Sequence, residues 1–399
     1  MGLKRDYLLV KISAGVVSGI FIGLLIDGFT AGENAVINIV LSVKHILGQV
    51  IFFMVPLIII GFVTPAITDM KKNAGSMLGV MLILAYASST LAAAFAMTAG
   101  YAIIPHLNIA DNMNELKTLP DIIFKLDINP MFPVITALFF SVTFGLAIVY
   151  TNSSYLEKMF REVKNVVMLL VNKLIIPILP FFICATFIEL TYTGLITEQL
   201  PVFVKMVFLV LLGHFIWLAV LYAAGGIIAR KSPFRVLRHY LPAYLTAVGT
   251  MSSAATLPVA LKCAGKSDAL DKDIVNFAIP LGATIHLCGS VLTETFFVMG
   301  ICQILTGALP PLSVMIIFIL LLGIFAVGAP GVPGGTVMAS IGIIVSVLGF
   351  DASGVALVMA IFALQDSFGT ACNVTGDGAL AMMLQGIFNR KKGGVSAGE

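Results

Sequence analysis

Runs of about twenty apolar residues recur along this sequence and are separated by short polar connections. Each run is long enough to cross about 30 Å of hydrocarbon as a helix. In the first part of the chain, the predicted spanning segments lie at residues 8–28, 35–68, 74–105, 130–152, 160–193 and 200–229. Hydrophobic residues make up 59% of the 399 residues and charged residues 11%, which is too apolar for a water-soluble core. We predict an all-α integral membrane protein.

Basic residues cluster in every second connection between these segments. They are Lys4, Arg5, Lys71, Lys72, Lys158, Arg161, Lys164, Arg230, Lys231, Arg235 and Arg238. Because cytoplasmic loops carry an excess of lysine and arginine, we expect these connections and both chain termini on the cytoplasmic side of an inner (plasma) membrane. The net charge of +3 is small and forms no basic patch, which argues against a nucleic-acid partner.

Two segments are long enough to cross the bilayer but carry a polar or broken centre. Residues 236–264 have basic residues at both ends and GTMSSAATLP at the centre, which is typical of a re-entrant hairpin whose backbone groups are buried in protein or face water. Residues 310–349 have VGAPGVPGG at the centre, where prolines remove amide donors and glycines allow tight turns. A proline-kinked spanning helix is the alternative for the second segment.

We therefore predict two hairpins that enter the membrane from opposite sides. Each is followed by a predicted spanning helix, at 274–305 and at 352–389. Broken segments in corresponding positions of an inverted repeat indicate a transporter with its binding site near the membrane midplane.

The last helix carries a polar stripe. Asp366, Thr370, Asn373 and Asp377 fall at i, i+4, i+7 and i+11 and share one helical face. A carboxylate inside the membrane is costly, and no intramembrane lysine or arginine accompanies these two on the helix. We predict that one carboxylate binds a substrate ammonium and the other a hard cation such as Na⁺, which prefers oxygen ligands. Helix–helix hydrogen bonding or a water-filled vestibule is the alternative for this stripe.

Other polar residues of the apolar segments are less specific. We expect His214 to be a hydrogen-bonded packing residue, and we leave His286 open between a structural hydrogen bond and a role in ion coupling. Glu294 has no visible partner in the sequence. The chain lacks HExxH, GxSxG and a full P-loop, so neither an ATP-driven pump nor a membrane hydrolase is predicted, and we expect no enzyme activity.

Four motifs occur in the order TMSSAATLPV, PLGATIHLCGS, GAPGVPGG and NVTGD. Together they resemble the signatures of the dicarboxylate/amino acid:cation symporters, the glutamate-transporter homologues, and the likeness in hydropathy extends over nearly the whole chain. This resemblance implies eight transmembrane helices plus two re-entrant helical hairpins, arranged as inverted repeats. It also implies a homotrimer in which a transport domain slides like an elevator against a fixed scaffold.

The resemblance implies a domain organisation as well. Residues 1–230 would form a six-helix N-terminal part, with the scaffold mainly at 1–72 and 127–199 and transport-domain pieces at 73–107 and 200–230. Residues 231–392 would form the substrate and ion core.

The resemblance also assigns site residues. Asp366 matches the aspartate that holds the substrate's amino group, and Asn373 matches the asparagine near its carboxylate. The other implied substrate-binding residues are Ser252, Ser253, Gly328, Ala329, Gly331, Val332, Gly369 and Thr370. The implied sodium ligands are Tyr86, Ser89, Thr90, Gly282, Thr284, His286, Asn373 and Asp377.

Departures from the family pattern bear on the substrate and the ion. Members that take acidic substrates carry an arginine at the position of Gly369 or of Met251. The family's Asn-Met-Asp-Gly-Thr begins here with His286 and has Cys288 in place of its aspartate. We therefore expect import of a small neutral amino acid (serine, threonine or alanine) coupled to Na⁺. The alternative is an acidic amino acid or dicarboxylate symporter, with H⁺ coupled through His286.

Overall fold

The computed structural model describes residues 8–28, 35–72, 76–107, 119–120, 122–329 and 334–395, and this part of the chain contains helices and no strand. The helices of the N-terminal part are α1 (Leu8–Gly28), α2 (Ala35–Lys72), α3 (Ser76–Ile103), α4 (Val134–Thr151), α5 (Ser154–Leu170), α6 (Ile176–Tyr192) and α7 (Leu195–Ala229). The helices of the C-terminal part are α8 (Phe234–Leu237), α9 (Leu241–Thr250), α10 (Ser253–Ala264), α11 (Lys272–Ile285), α12 (Cys288–Thr306), α13 (Leu312–Gly328), α14 (Gly335–Leu348) and α15 (Ala352–Val395). A π-helical turn at Val171–Ile175 joins α5 to α6.

Several helical stretches are long and apolar enough to cross a membrane. In the described residues they are Ala35–Pro65, Ser76–His106, Ser154–Tyr192, Pro201–Ala229, Lys272–Thr306 and Ala352–Asn389. Because a spanning helix satisfies all its backbone hydrogen bonds internally, these stretches support the predicted helical membrane protein. The expected count of eight spanning helices and two hairpins stays a prediction.

Both segments predicted as hairpins consist of two packed helical arms. In the first, α9 and α10 pack together and meet at Met251, whose φ of 52° is left-handed and unusual for a residue with a side chain. Ser252 follows, and its side-chain oxygen accepts a 3.3 Å hydrogen bond from the Ala255 amide as the N-cap of α10. In the second, α13 and α14 pack together, and the connecting residues 330–333 lie outside the described part.

The helix predicted at 274–305 is interrupted in the structure. α11 ends at Ile285 and α12 begins at Cys288, with His286 and Leu287 outside helical geometry. Hydropathy could not reveal this break, because the run is apolar on both sides of it.

The core is organised around α15. This helix packs most extensively against α7, α9, α11 and α12 and also contacts α1, α3, α6, α10 and α14. Nearly all of its side chains from Gly354 to Gly386 are buried. A second group of helices, α1, α2, α4, α5 and α6, packs mainly within itself. The polar stripe of α15 is therefore placed in the protein interior.

Candidate functional site

Asp366 lies beside the tip of the second hairpin. Its Oδ2 accepts a 2.7 Å hydrogen bond from the backbone amide of Gly334, which has a left-handed φ of 71° and precedes the first turn of α14. Its Oδ1 accepts a longer bond of 3.4 Å from the Thr370 hydroxyl, one turn further along α15. The carboxylate is 4% exposed, and among the described residues no lysine or arginine forms an ion pair with either carboxylate of the stripe.

Asn373 holds the break between α11 and α12. Its side-chain oxygen accepts hydrogen bonds from the amides of Gly289 (2.7 Å) and Ser290 (3.2 Å), and its side-chain nitrogen donates to the Ser290 hydroxyl at 2.9 Å. The first amides of a helix have no partner within that helix, so this side chain satisfies two that the break leaves open. Asn373 of the polar stripe therefore stabilises the start of α12 at the break.

Asp377 lies about 16 Å from Asp366 along the helix axis, since eleven residues rise by about 1.5 Å each. Its Oδ1 lies 2.9 Å from Nδ1 of His286, and Nε2 of His286 lies 2.9 Å from the Ser88 hydroxyl of α3. Its Oδ2 is buried and has no hydrogen-bond partner among the residues that the structure describes. A Cβ on Gly282 would lie 2.6 Å from Oδ1, so the glycine lets the carboxylate approach the last turn of α11.

The surroundings of Asp377 suit a hard cation. An ionised carboxylate oxygen that is buried and unpartnered costs several kcal/mol, and a cation beside Oδ2 would remove that cost. Among the described residues, no three His, Cys, Asp or Glu side chains lie together as candidate metal ligands. The carboxylate oxygen is a hard donor of the kind that Na⁺ prefers.

The remaining predicted sodium ligands do not all face Asp377. Tyr86 and Thr90 are one turn apart on α3 and lie against Gly323 of α13, with the Tyr86 hydroxyl 3.4 Å from the Leu320 carbonyl. In the described part of the chain, the Thr90 and Ser89 hydroxyls are buried and have no hydrogen-bond partner. Thr284 is exposed, and its hydroxyl donates to the Leu281 carbonyl of its own helix at 2.7 Å.

The hairpin residues predicted to bind substrate lie near the two tips. Ser252 caps α10 and Ser253 is buried as its first residue. Gly328 ends α13 close to α2, and Ala329 follows it in extended geometry. Gly331 and Val332 lie outside the described residues. Gly369 is buried on α15, where a Cβ would lie 3.4 Å from the Ser290 backbone and hydroxyl.

Sequence reasoning missed Ser88, Ser290 and the amide of Gly334. The run SST at 88–90 signalled polar groups on α3, but hydroxyls on successive helix positions point in different directions, and only the fold shows which one meets His286. His214 is a hydrogen-bonded packing residue as expected, with Nε2 2.9 Å from the Thr293 hydroxyl. Glu294 gains a partner in Ser340 of α14.

The known proteins to which this chain is similar are transporters. A family model described as the sodium:dicarboxylate symporter family matches residues 8–387. Neutral amino acid transporter B(0) of Homo sapiens is 30% identical over 257 residues, which cover 63% of this chain and 47% of that protein. Excitatory amino acid transporter 2 of Mus musculus is 28% identical over 286 residues, covering 69% of this chain and 48% of that protein. The chain thus spans about half the length of the curated relatives it matches.

Proposed function

Because the chain belongs to the sodium:dicarboxylate symporter family, we propose that it imports a small neutral amino acid, namely serine, threonine or alanine, together with Na⁺. The family and the relatives named above are transporters and not enzymes. Those relatives include proteins named for neutral and for excitatory amino acids, so the substrate class has to be argued from the site.

The observation that carries the proposal is the environment of Asp366. Within the described residues, its buried carboxylate has a backbone amide and a hydroxyl as partners and no basic side chain. A substrate ammonium would supply the missing positive charge. The substrate's own α-carboxylate would then need donors, which the helix N-termini and hydroxyls near the stripe can offer.

A second substrate carboxylate would have no basic partner at the two positions expected to supply one, Gly369 and Met251. A buried charge without a partner costs several kcal/mol, so the site favours a neutral side chain. The alternative is a carrier for acidic amino acids or dicarboxylates, and the similarity to excitatory amino acid transporter 2 supports this alternative.

We assign Asp377 to the co-transported cation, with Na⁺ as the first choice because Oδ2 is buried and unpartnered. H⁺ coupled through His286 is the alternative.

We propose an elevator-type alternating-access cycle in a homotrimer. The group of α1, α2, α4, α5 and α6 would be the scaffold, and the helices packed around α15 would be the moving body that carries substrate and cation. Each group packs mainly within itself, with contacts between them through α14 and α15, and this pattern supports the division. The protein would lie in the inner (plasma) membrane with both termini cytoplasmic, following the distribution of basic residues.

Competition against labelled serine in proteoliposomes tests the substrate class. We expect unlabelled serine, threonine or alanine to compete better than aspartate with the wild-type protein. In Gly369→Arg, a bidentate guanidinium should move the preference toward aspartate by about tenfold, the worth of a charge-assisted hydrogen bond. Gly369→Met is the matched control, because it adds comparable bulk without charge. A wild-type protein that takes aspartate better than serine would show that the neutral-substrate assignment is wrong, whatever the variants do.

A further inference from the structure

Three buried side chains from three separate elements form a continuous row. Ser88 comes from α3, His286 from the break between α11 and α12, and Asp377 from α15; they are 6%, 0% and 1% exposed. The Ser88 hydroxyl lies 2.9 Å from Nε2 of His286, and Nδ1 of the same ring lies 2.9 Å from Oδ1 of Asp377. Nothing in the family comparison assigns a role to Ser88.

Asp377 must be ionised to bind a cation, and its ionisation determines which atom donates and which accepts in each hydrogen bond of this row. An ionised carboxylate only accepts hydrogen bonds, so Nδ1 carries a proton and donates it to Oδ1. In the neutral ring Nε2 is then an acceptor, and the Ser88 hydroxyl donates to it. The carboxylate thus sets the tautomer, and the Ser88 hydroxyl, by donating to Nε2, holds the ring in the orientation that points the Nδ1 donor at Asp377.

The two carboxylate oxygens of Asp377 consequently have different tasks. Oδ1 is hydrogen-bonded to His286, while Oδ2 is buried and has no partner in the described ranges of the chain. A partner that orients a ligating group restricts it to one geometry, and losing such a partner typically weakens cation binding. The arrangement leaves a single oriented oxygen for the cation.

Resting on the cation site proposed above, we propose that Ser88 is a positioning residue for the coupled cation. It acts through the ring of His286, which holds Asp377 so that Oδ2 alone faces the ion. Ser88 does not touch the cation itself. A purely structural hydrogen bond would affect stability, whereas this row sets the affinity for the cation.

The test uses the full-length purified protein, with Na⁺ as the probe. Binding is read from the rise in thermal stability during Na⁺ titration without substrate, and transport from the Na⁺ dependence of serine uptake in proteoliposomes. We expect Ser88→Ala to raise the half-saturating Na⁺ concentration about fivefold in both measurements, the worth of one neutral hydrogen bond. The KM for serine at saturating Na⁺ should stay unchanged.

Two further variants make the result specific. Ser88→Thr keeps the hydroxyl and should retain wild-type Na⁺ affinity. Thr98→Ala is the matched control, because the Thr98 hydroxyl lies on the same helix and donates to the Phe95 carbonyl of that helix. An unchanged or lowered half-saturating concentration in Ser88→Ala would overturn the proposal.

The experiment also separates this proposal from the one it rests on. Asp377→Asn should abolish the Na⁺ response, and a response that persists there would place the cation elsewhere and refute both proposals. If Asp377→Asn loses the response while Ser88→Ala behaves like wild type, only the role of Ser88 is wrong. If Ser88→Ala fails to fold, nitrogen-15 NMR spectra of the wild-type protein in Na⁺ test the proposal instead. We expect a His286 ring that is protonated at Nδ1 and not at Nε2. The opposite tautomer would refute the proposal.

Discussion

A buried ion pair far from the stripe offers a quantitative test of the packing. Lys44 of α2 and Glu189 of α6 form an ion pair with relative side-chain exposures of 8% and 7%. Ser353, in the first turn of α15, closes the arrangement: its hydroxyl accepts from the lysine at 2.7 Å and donates to Glu189 Oε1 at 3.2 Å. Two of the three lysine donors and both carboxylate oxygens of Glu189 therefore have hydrogen-bond partners.

We expect Lys44→Met to lower the free energy of unfolding by about 3–5 kcal/mol, because it leaves the buried Glu189 charge without its partner. The double variant Lys44→Met with Glu189→Leu should recover most of this loss, since well-packed apolar residues can replace a buried pair at little cost. The assay is SDS titration of the purified protein in mixed micelles, followed by circular dichroism.

The comparison between single and double variants decides the matter. If the double variant is as unstable as Lys44→Met, the lost free energy of unfolding comes from packing and not from an unpaired Glu189 charge. That result would refute the proposed cause. Arg235→Met provides a control at an exposed ion pair, where Arg235 and Asp268 are 46% and 55% exposed, and it should change stability little because solvent screens the pair.

Two further predictions concern the cation site and the topology. Gly282→Ala should raise the half-saturating Na⁺ concentration in uptake assays, because its Cβ would lie 2.6 Å from Asp377 Oδ1. A Cβ at Gly79 would meet no atom of the described residues within 4 Å, so Gly79→Ala should behave like wild type. Equal effects of the two substitutions would show that Gly282 is not part of the site. Single cysteines introduced beside Arg235 and Lys266 in a cysteine-free background should both react with an impermeant thiol reagent from the cytoplasm, and labelling of either from outside would disprove the first hairpin.

Patterns confined to one segment were predictable from the sequence. The stripe of Asp366 and Asp377 follows from helical periodicity alone, and the interruption near Met251 follows from a polar centre in an apolar run. The interruption at His286 was not predictable, because it depends on the side chain of Asn373, 87 positions further along the chain. The pairing of Lys44 with Glu189 was missed for the same reason: hydropathy gives no information on contacts between distant helices.

The two carboxylates of α15 are too far apart to share a ligand, and each meets a different break in the backbone. Asp366 binds an amide at the start of α14, while Asp377 meets the ring of His286 in the gap before α12. Asn373 lies between them on the same face and holds the start of α12. Because α15 contacts both breaks, it connects the two positions as one rigid element. Substitutions that keep hydrogen bonding but remove charge, such as aspartate to asparagine, are therefore the ones that separate ligand binding from the integrity of the breaks.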